Sequence, residues 1–168
     1  MMESVLTNPG RPYLPFALTL AACLGLVVGG VVMSEVFHLA ACPLCIIQRM
    51  LYLLLAICAG LGMAVSSQPT GRRIAAVLMT AVAATGAFIA GYQTWIQRFA
   101  PDTGCSGYQT WWEEFVDWAG SQVPLLFLSD GICSDPGWKF LGLSIAEWSL
   151  ICFLALAALA LRSALSRR

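Results

Sequence analysis

Charge is what this chain lacks. Only 11% of its 168 residues are Asp, Glu, Lys or Arg, against about 25% in a soluble globular domain. With 59% hydrophobic residues and a mean hydropathy of +0.78, it has too little polar surface to stay dissolved, although its length would suit one soluble domain. Nine basic and nine acidic residues cancel to a formal net charge of zero, so no basic face for nucleic acid is present. Strand-like alternation is missing, which argues against a membrane barrel. Internal repeats and low-complexity tracts are missing too, so residues 1–168 read as one domain.

What is present is length in apolar runs. Crossing a bilayer takes roughly 20 residues of helix, and four stretches qualify, at about 13–33, 44–65, 74–96 and 145–161. The last is short and is expected to draw on residues from Leu143 or earlier. Because lipid forces a backbone to satisfy its own hydrogen bonds, the fold class expected is all-α integral membrane, a four-transmembrane-helix antiparallel bundle. Arg11, Arg72, Arg73, Arg162, Arg167 and Arg168 fall at the N-terminus, the second connection and the C-terminus. The bias of basic residues toward the cytoplasm therefore puts both termini inside. Connections 34–43 and 97–144 then lie outside, with nearly all the acids. Gly25-x-x-x-Gly29 in the first span is expected to let a neighbouring helix approach closely. Ser66 to Gly71 reads as a tight inner turn, and the third span, rich in Ala and Gly, suits the centre of a bundle.

The long outer connection has one helical pattern. Tyr108, Trp111, Trp112, Phe115 and Trp118 share an arc at about 100° per residue, opposite Glu113, Glu114 and Asp117. A short amphipathic helix lying at the headgroups, aromatics down, is expected; a small soluble helix packed on the protein is the alternative. Pro124 ends it, and Ser129-Asp130-Gly131 and Asp135-Pro136-Gly137 mark turns on either side of Cys133, placing that cysteine on a flexible segment.

The seven cysteines sort by position. Cys23, Cys58 and Cys152 fall within spans and read as small packing residues. Cys42, Cys45, Cys105 and Cys133 lie at or beyond the outer ends, and an even set facing an oxidising compartment reads as two disulfides. Cys42-Pro43-Leu44-Cys45-Ile46-Ile47-Gln48-Arg49 is the organising stretch. Pro43 suits the first helical turn, which puts Cys42 at the N-cap and Cys45 in the first turn. There the helix dipole stabilises a thiolate, and Arg49 follows Cys45 by one turn, roughly 6 Å along the axis.

Other chemistries fit parts of this pattern. Leu39-Ala40-Ala41-Cys42 looks like a lipoprotein cleavage box, although three further spans follow it. The four outer cysteines, with His38 in reserve, could ligate zinc, but Cys105 and Cys133 are far apart in sequence. Two inert staples are a third possibility, against which a Cys-x-x-Cys bridge closes too small a loop to stabilise much. Arg49 alone reads as an arginine snorkelling to the headgroups, and His38 as a solvated loop residue.

Together these motifs resemble the DsbB family of bacterial disulfide-bond-formation proteins over nearly the whole chain. The resemblance rests on four spans, Cys-x-x-Cys opening the second with an arginine four residues on, and a cysteine pair in the second outer loop. The segment Cys133 to Trp148, with Trp138, Phe140-Leu141-Gly142-Leu143 and Trp148, is similar as well. It implies an inner-membrane enzyme with its cysteine pairs on the periplasmic side. Cys105 and Cys133 would form the loop disulfide met by a soluble thioredoxin-like DsbA, whose cysteine attacks Cys105. Cys133 would then reach Cys42 in a transient bridge, freeing Cys45 toward a bound quinone, ubiquinone or menaquinone, with Arg49 beside it. No metal is implied. A relative with a dedicated partner, or one running toward reduction, is the nearest alternative enzyme.

Overall fold

The computed structural model describes residues 12–100 and 110–165. Among these, four helices are long and apolar enough to cross a membrane: α1 (Leu14–Glu35), α2 (Pro43–Ala64), α3 (Pro69–Phe99) and α6 (Ile145–Leu165). They form a four-helix bundle, and the chain is a multi-pass membrane protein. Between α3 and α6 lie two short helices, α4 (Trp111–Gln122) and α5 (Pro124–Phe127), and a hairpin of two-residue strands, β1 (Lys139–Phe140) and β2 (Leu143–Ser144).

Prolines start several of these elements. Pro43, Pro69 and Pro124 are each the first residue of their helix, where a missing N–H costs nothing and a fixed φ already suits the turn. This corrects one expected boundary. The turn between α2 and α3 is confined to residues 65–68, because Pro69 nucleates α3 and draws Thr70 and Gly71 into it. Pro124 follows the end of α4 at Gln122, as expected, and also opens α5. The fourth span gains its length at the far end, reaching Leu165; Leu143 belongs to β2 and adds nothing to it.

α3 is the spine, packed along α6 on one side and α2 on the other, and α1 packs on α2. Its buried face is made of small residues, Ala75, Ala76, Ala83, Gly86, Ala87 and Ala90, which lets backbones close up where lipid removes the hydrophobic drive. A Cβ on Gly86 would overlap the Phe153 ring. That ring, fully buried, stacks on Tyr52 with centroids 4.1 Å apart and planes within 1°. Tyr52 also shares a 2.9 Å hydrogen bond with the Ser149 hydroxyl, so α2, α3 and α6 meet at one buried layer.

α1 and α6 hardly touch, which leaves a cleft. Gly25 and Gly29 face open space there: a Cβ added at either would meet nothing within 4 Å. The expected close helix approach at Gly25-x-x-x-Gly29 does not occur; these glycines widen a cavity instead. At the mouth of the cleft sits the hairpin. Leu141 (φ 52°) and Gly142 (φ 80°) form its two-residue loop, and two positive φ values in succession match the twist that tight hairpins need. Trp138 stacks on Phe140, and the Trp148 indole donates to the Phe140 carbonyl at 3.1 Å. Ser144 and Glu147 cap α6 reciprocally: the Ser144 amide donates to the Glu147 carboxylate (2.7 Å) and the Glu147 amide to the Ser144 hydroxyl (3.3 Å). Arg98, at the end of α3, pairs with the same carboxylate.

Candidate functional site

Cys42 caps α2 with its own sulfur. Its backbone is extended (φ −85°, ψ 162°), and Sγ accepts from the Cys45 amide at 3.3 Å, so one of the amides left unpaired at every helix start is satisfied by the thiol. The cap turns Sγ of Cys42 toward Sγ of Cys45, 2.9 Å away. Cys42 is buried, at 3% exposure, and sits with Leu44 and Ile96 in a small apolar cluster joined by Cys45, Trp112 and Cys133.

Cys133 is brought to this dithiol by a backbone clamp. The amides of Asp130 and Gly131 both donate to the Ala41 carbonyl at 3.0 Å, one residue before Cys42. The approach is close enough that a Cβ on Gly131 would lie 2.5 Å from the Ala40 oxygen and 2.9 Å from its carbonyl carbon, so only glycine fits. Gln97 of α3 reaches the Cys133 and Asp135 carbonyls at 3.5 Å, and the Asp135 carboxylate accepts from the Gly137 amide at 2.9 Å. The turns expected around Cys133 are therefore present, but the segment between them is tethered at both ends to the helix bundle. Turn residues signal where a chain bends; they carry no information about what the bend is tied to.

The electrostatics divide the sulfurs outside the span. The hydrogen bond to Cys133, joined by the one to Cys45 and by burial, pushes the Cys42 thiol up. Cys133 is moved the other way: the hydrogen bond from Cys42 outweighs burial, and the Leu44 amide at the α2 N-terminus adds to it, so its thiol lies below the ordinary value. In the dithiol form Cys42 donates and Cys133 accepts, so charge on sulfur is favoured at Cys133 and disfavoured at Cys42.

On the membrane side, Cys45 and Arg49 line a cavity of about 410 Å³ between α1, α2 and α6. Gly25 and Gly29 form one wall, and Tyr52 and Trp148 lie opposite. Arg49 is 8% exposed. Its guanidinium donates to the Leu126 carbonyl of α5 at 2.6 Å and to the Ser34 hydroxyl of α1 at 3.3 Å, and it packs over Gly30, where a Cβ would be 3.3 Å from it. It is pinned inside the protein.

Two buried glutamines join the site that the motifs did not single out. Gln93 of α3 is 1% exposed and donates to both sulfurs, at 3.1 Å to Cys42 and 3.2 Å to Cys45. Gln48 of α2, 4% exposed, donates to the Gln93 oxygen at 2.6 Å. A carboxamide inside a membrane span is itself a signal, because unpaired polar groups are costly there.

Among the remaining residues named from sequence, Cys105 and Tyr108 lie outside the described residues. Cys23 is fully buried, and Cys58 and Cys152 are half-buried. His38 is exposed on the α1–α2 connection, in a left-handed backbone conformation (φ 52°). The α4 aromatic arc is divided. Trp111, Phe115 and Trp118 are exposed, whereas Trp112 packs against the Cys42, Leu44 and Ile96 cluster, and Val116, Ala119 and Gly120 form the buried face.

Residues 13–162 match the family described as disulfide bond formation protein DsbB. A disulfide bond formation protein B from Dechloromonas aromatica is 39% identical over 148 residues, covering 86% of this chain and 87% of the relative. Proteins of the same name from Nitrosospira multiformis and Nitrosomonas europaea are 34% and 37% identical, covering 93% and 86% of this chain and 94% and 88% of the relatives.

Proposed function

The chain belongs to the DsbB family of disulfide bond formation proteins, and on that premise we propose that it is an inner-membrane thiol oxidase that reoxidises a soluble, DsbA-like dithiol protein and passes the electrons to a membrane quinone. Both termini are cytoplasmic and both cysteine pairs periplasmic, as the basic residues of the inner connections suggest. The observation that carries the proposal is the row of sulfurs: Cys133 against Cys42, Cys42 against Cys45, and Cys45 on the wall of an apolar cavity.

Each exchange step trades one S–S bond for another. A thiolate of the soluble partner attacks Cys105 of a Cys105–Cys133 disulfide, and the charge leaves on Cys133. The clamp at Ala41 holds Cys133 at Cys42, and the Leu44 amide at the α2 N-terminus favours charge on the Cys133 sulfur. Cys133 attacks Cys42 of the Cys42–Cys45 disulfide, the Cys42–Cys133 bond forms, and the electron pair passes to Cys45. Cys42 is suited to being the bridging sulfur because it is buried and flanked on both sides.

The cavity fits a quinone headgroup in the chemistry of its walls. Apolar residues and aromatic rings surround a fixed guanidinium and a reactive thiol, and the cavity opens between α1 and α6 toward lipid, where a long apolar tail would lie. Arg49 would hold a carbonyl oxygen by charge-assisted hydrogen bonding, and Cys45 would face the ring. What a quinone supplies when bound is acceptance of two electrons and two protons, which restores the disulfides.

The test is turnover of purified protein in detergent with a quinone and a reduced thioredoxin-like partner. Catalytic quinone reduction should disappear in Cys42→Ser and in Cys105→Ser. No quinone reduction with any dithiol partner would sink the proposal.

A further inference from the structure

The Gln48–Gln93 pair has no part in the exchange scheme above, yet it is buried and touches the reacting atoms. We propose that the Gln93 carboxamide is a catalytic residue of the dithiol centre, an oriented double donor that stabilises negative charge on sulfur during exchange, and that Gln48 is a positioning residue that fixes its orientation. This rests on the proposed role of Cys42 and Cys45 in disulfide exchange.

The geometry is specific. A primary amide has two N–H groups, and Gln93 places one on each sulfur, at 3.1 and 3.2 Å. Its oxygen is occupied by the Gln48 amide at 2.6 Å. Were the Gln93 amide flipped, its oxygen would face the sulfurs and repel an anion; the Gln48 donor makes that orientation unfavourable. When Cys133 attacks Cys42, the Cys42–Cys45 bond breaks, the Cys42–Cys133 bond forms, and the electron pair goes to Cys45 Sγ. No proton moves and no oxidant is consumed in this step. A donor to the departing sulfur is worth more once that sulfur is charged than while it is in a disulfide, and more in a buried site than in water. Unlike a lysine or histidine, the amide has no ionisable proton to lose, so it delivers no proton that would quench the anion.

A pair that merely stapled α2 to α3 would affect stability and leave sulfur reactivity alone. The deciding experiment therefore reads sulfur. In a Cys42→Ala, Cys105→Ala, Cys133→Ala background, Cys45 is the sole thiol outside the packing cysteines, and its alkylation by iodoacetamide at neutral pH reports its anionic fraction. Gln93→Met, similar in size and without a donor, should slow alkylation about tenfold, the scale of one lost hydrogen bond to a charged group. Gln48→Met should slow it by a smaller factor. Where Gln93→Met does not yield folded protein, Gln93→Asn decides: it keeps the amide but retracts it by a methylene, and roughly a fivefold loss is expected. Rates within about twofold of the parent in the folded Gln93 variant, less than the loss of one such hydrogen bond allows, would overturn the proposal. Alkylation uses neither quinone nor partner, so this outcome and the outcome of the turnover assay are independent.

Discussion

Replacing Gly131 by alanine tests the clamp that presents Cys133 to Cys42. The new Cβ would meet the Ala40 oxygen at 2.5 Å, the Ala40 carbonyl carbon at 2.9 Å and the Ala41 carbonyl carbon at 3.0 Å. All three are backbone atoms immediately before the α2 cap, so no side chain can swing away. Carbon–oxygen contacts settle at roughly 3.3–3.6 Å, so the segment must withdraw by about 1 Å. The two hydrogen bonds from Asp130 and Gly131 to Ala41, both 3.0 Å long, would then stretch past useful length. At about 0.5–1.5 kcal/mol net for each, the docked loop loses about 1–3 kcal/mol, which is about a 5- to 150-fold fall in its population. The assay uses a Cys45→Ala, Cys105→Ala background in which Cys42 and Cys133 can pair only with each other, equilibrated in a glutathione redox buffer. The equilibrium constant for their disulfide measures how well the loop is held, and Gly131→Ala should lower it by that factor. An unchanged constant would refute the clamp, leaving Cys133 to find Cys42 by diffusion of the loop.

Three further outcomes follow from the same structure. Arg49→Ala removes the cation from the cavity wall and its bonds to Ser34 and Leu126; apparent affinity for quinone should fall at least about tenfold while the Cys105–Cys133 disulfide still forms, as thiol trapping would show. Cys133 is held below the ordinary thiol value chiefly by the hydrogen bond from Cys42, so at any given pH more of it is thiolate than in a free thiol, and that thiolate is lost as pH falls through the lowered value. Cys42→Ala should therefore slow Cys133 alkylation near neutral pH and bring its pH profile up toward that of a free thiol, and an unmoved profile would remove Cys42 as the cause. Gly86→Ala would force a methyl into the Phe153 ring, costing about 1–3 kcal/mol by overpacking; the melting temperature in detergent should drop with Cys45 alkylation unchanged.

Local chemistry made much of the site legible without coordinates. Pro43 after Cys42 predicts a helix start, and the structure has Cys42 as N-cap. The apolar runs predict four helices because their length and composition leave a backbone few choices in lipid. The glycines of α1 show where such inference stops. Gly25 and Gly29 have the spacing of a packing motif, but small residues permit both close approach and empty space, and which one occurs depends on where α6 lies. The hairpin at 139–144 was equally hidden: two-residue strands have no periodicity to detect, and Leu141 is an unusual residue for a positive φ.

By itself the sequence determined the class of the protein, the ends of its helices to within a few residues, and, among the described cysteines, which lie within spans and which at or beyond helix ends. These follow from properties each segment carries alone: hydropathy and proline geometry. Only the tertiary structure decided that Cys133 is clamped to the Ala41 carbonyl, that Arg49 is bound between α1 and α5, and that Gln93 reaches both sulfurs from α3. Those contacts join residues remote in the chain, 51 positions apart for Gln93 and Cys42 and 77 for Arg49 and Leu126. Their energies depend on distances of a fraction of an ångström, which are set when the helices pack.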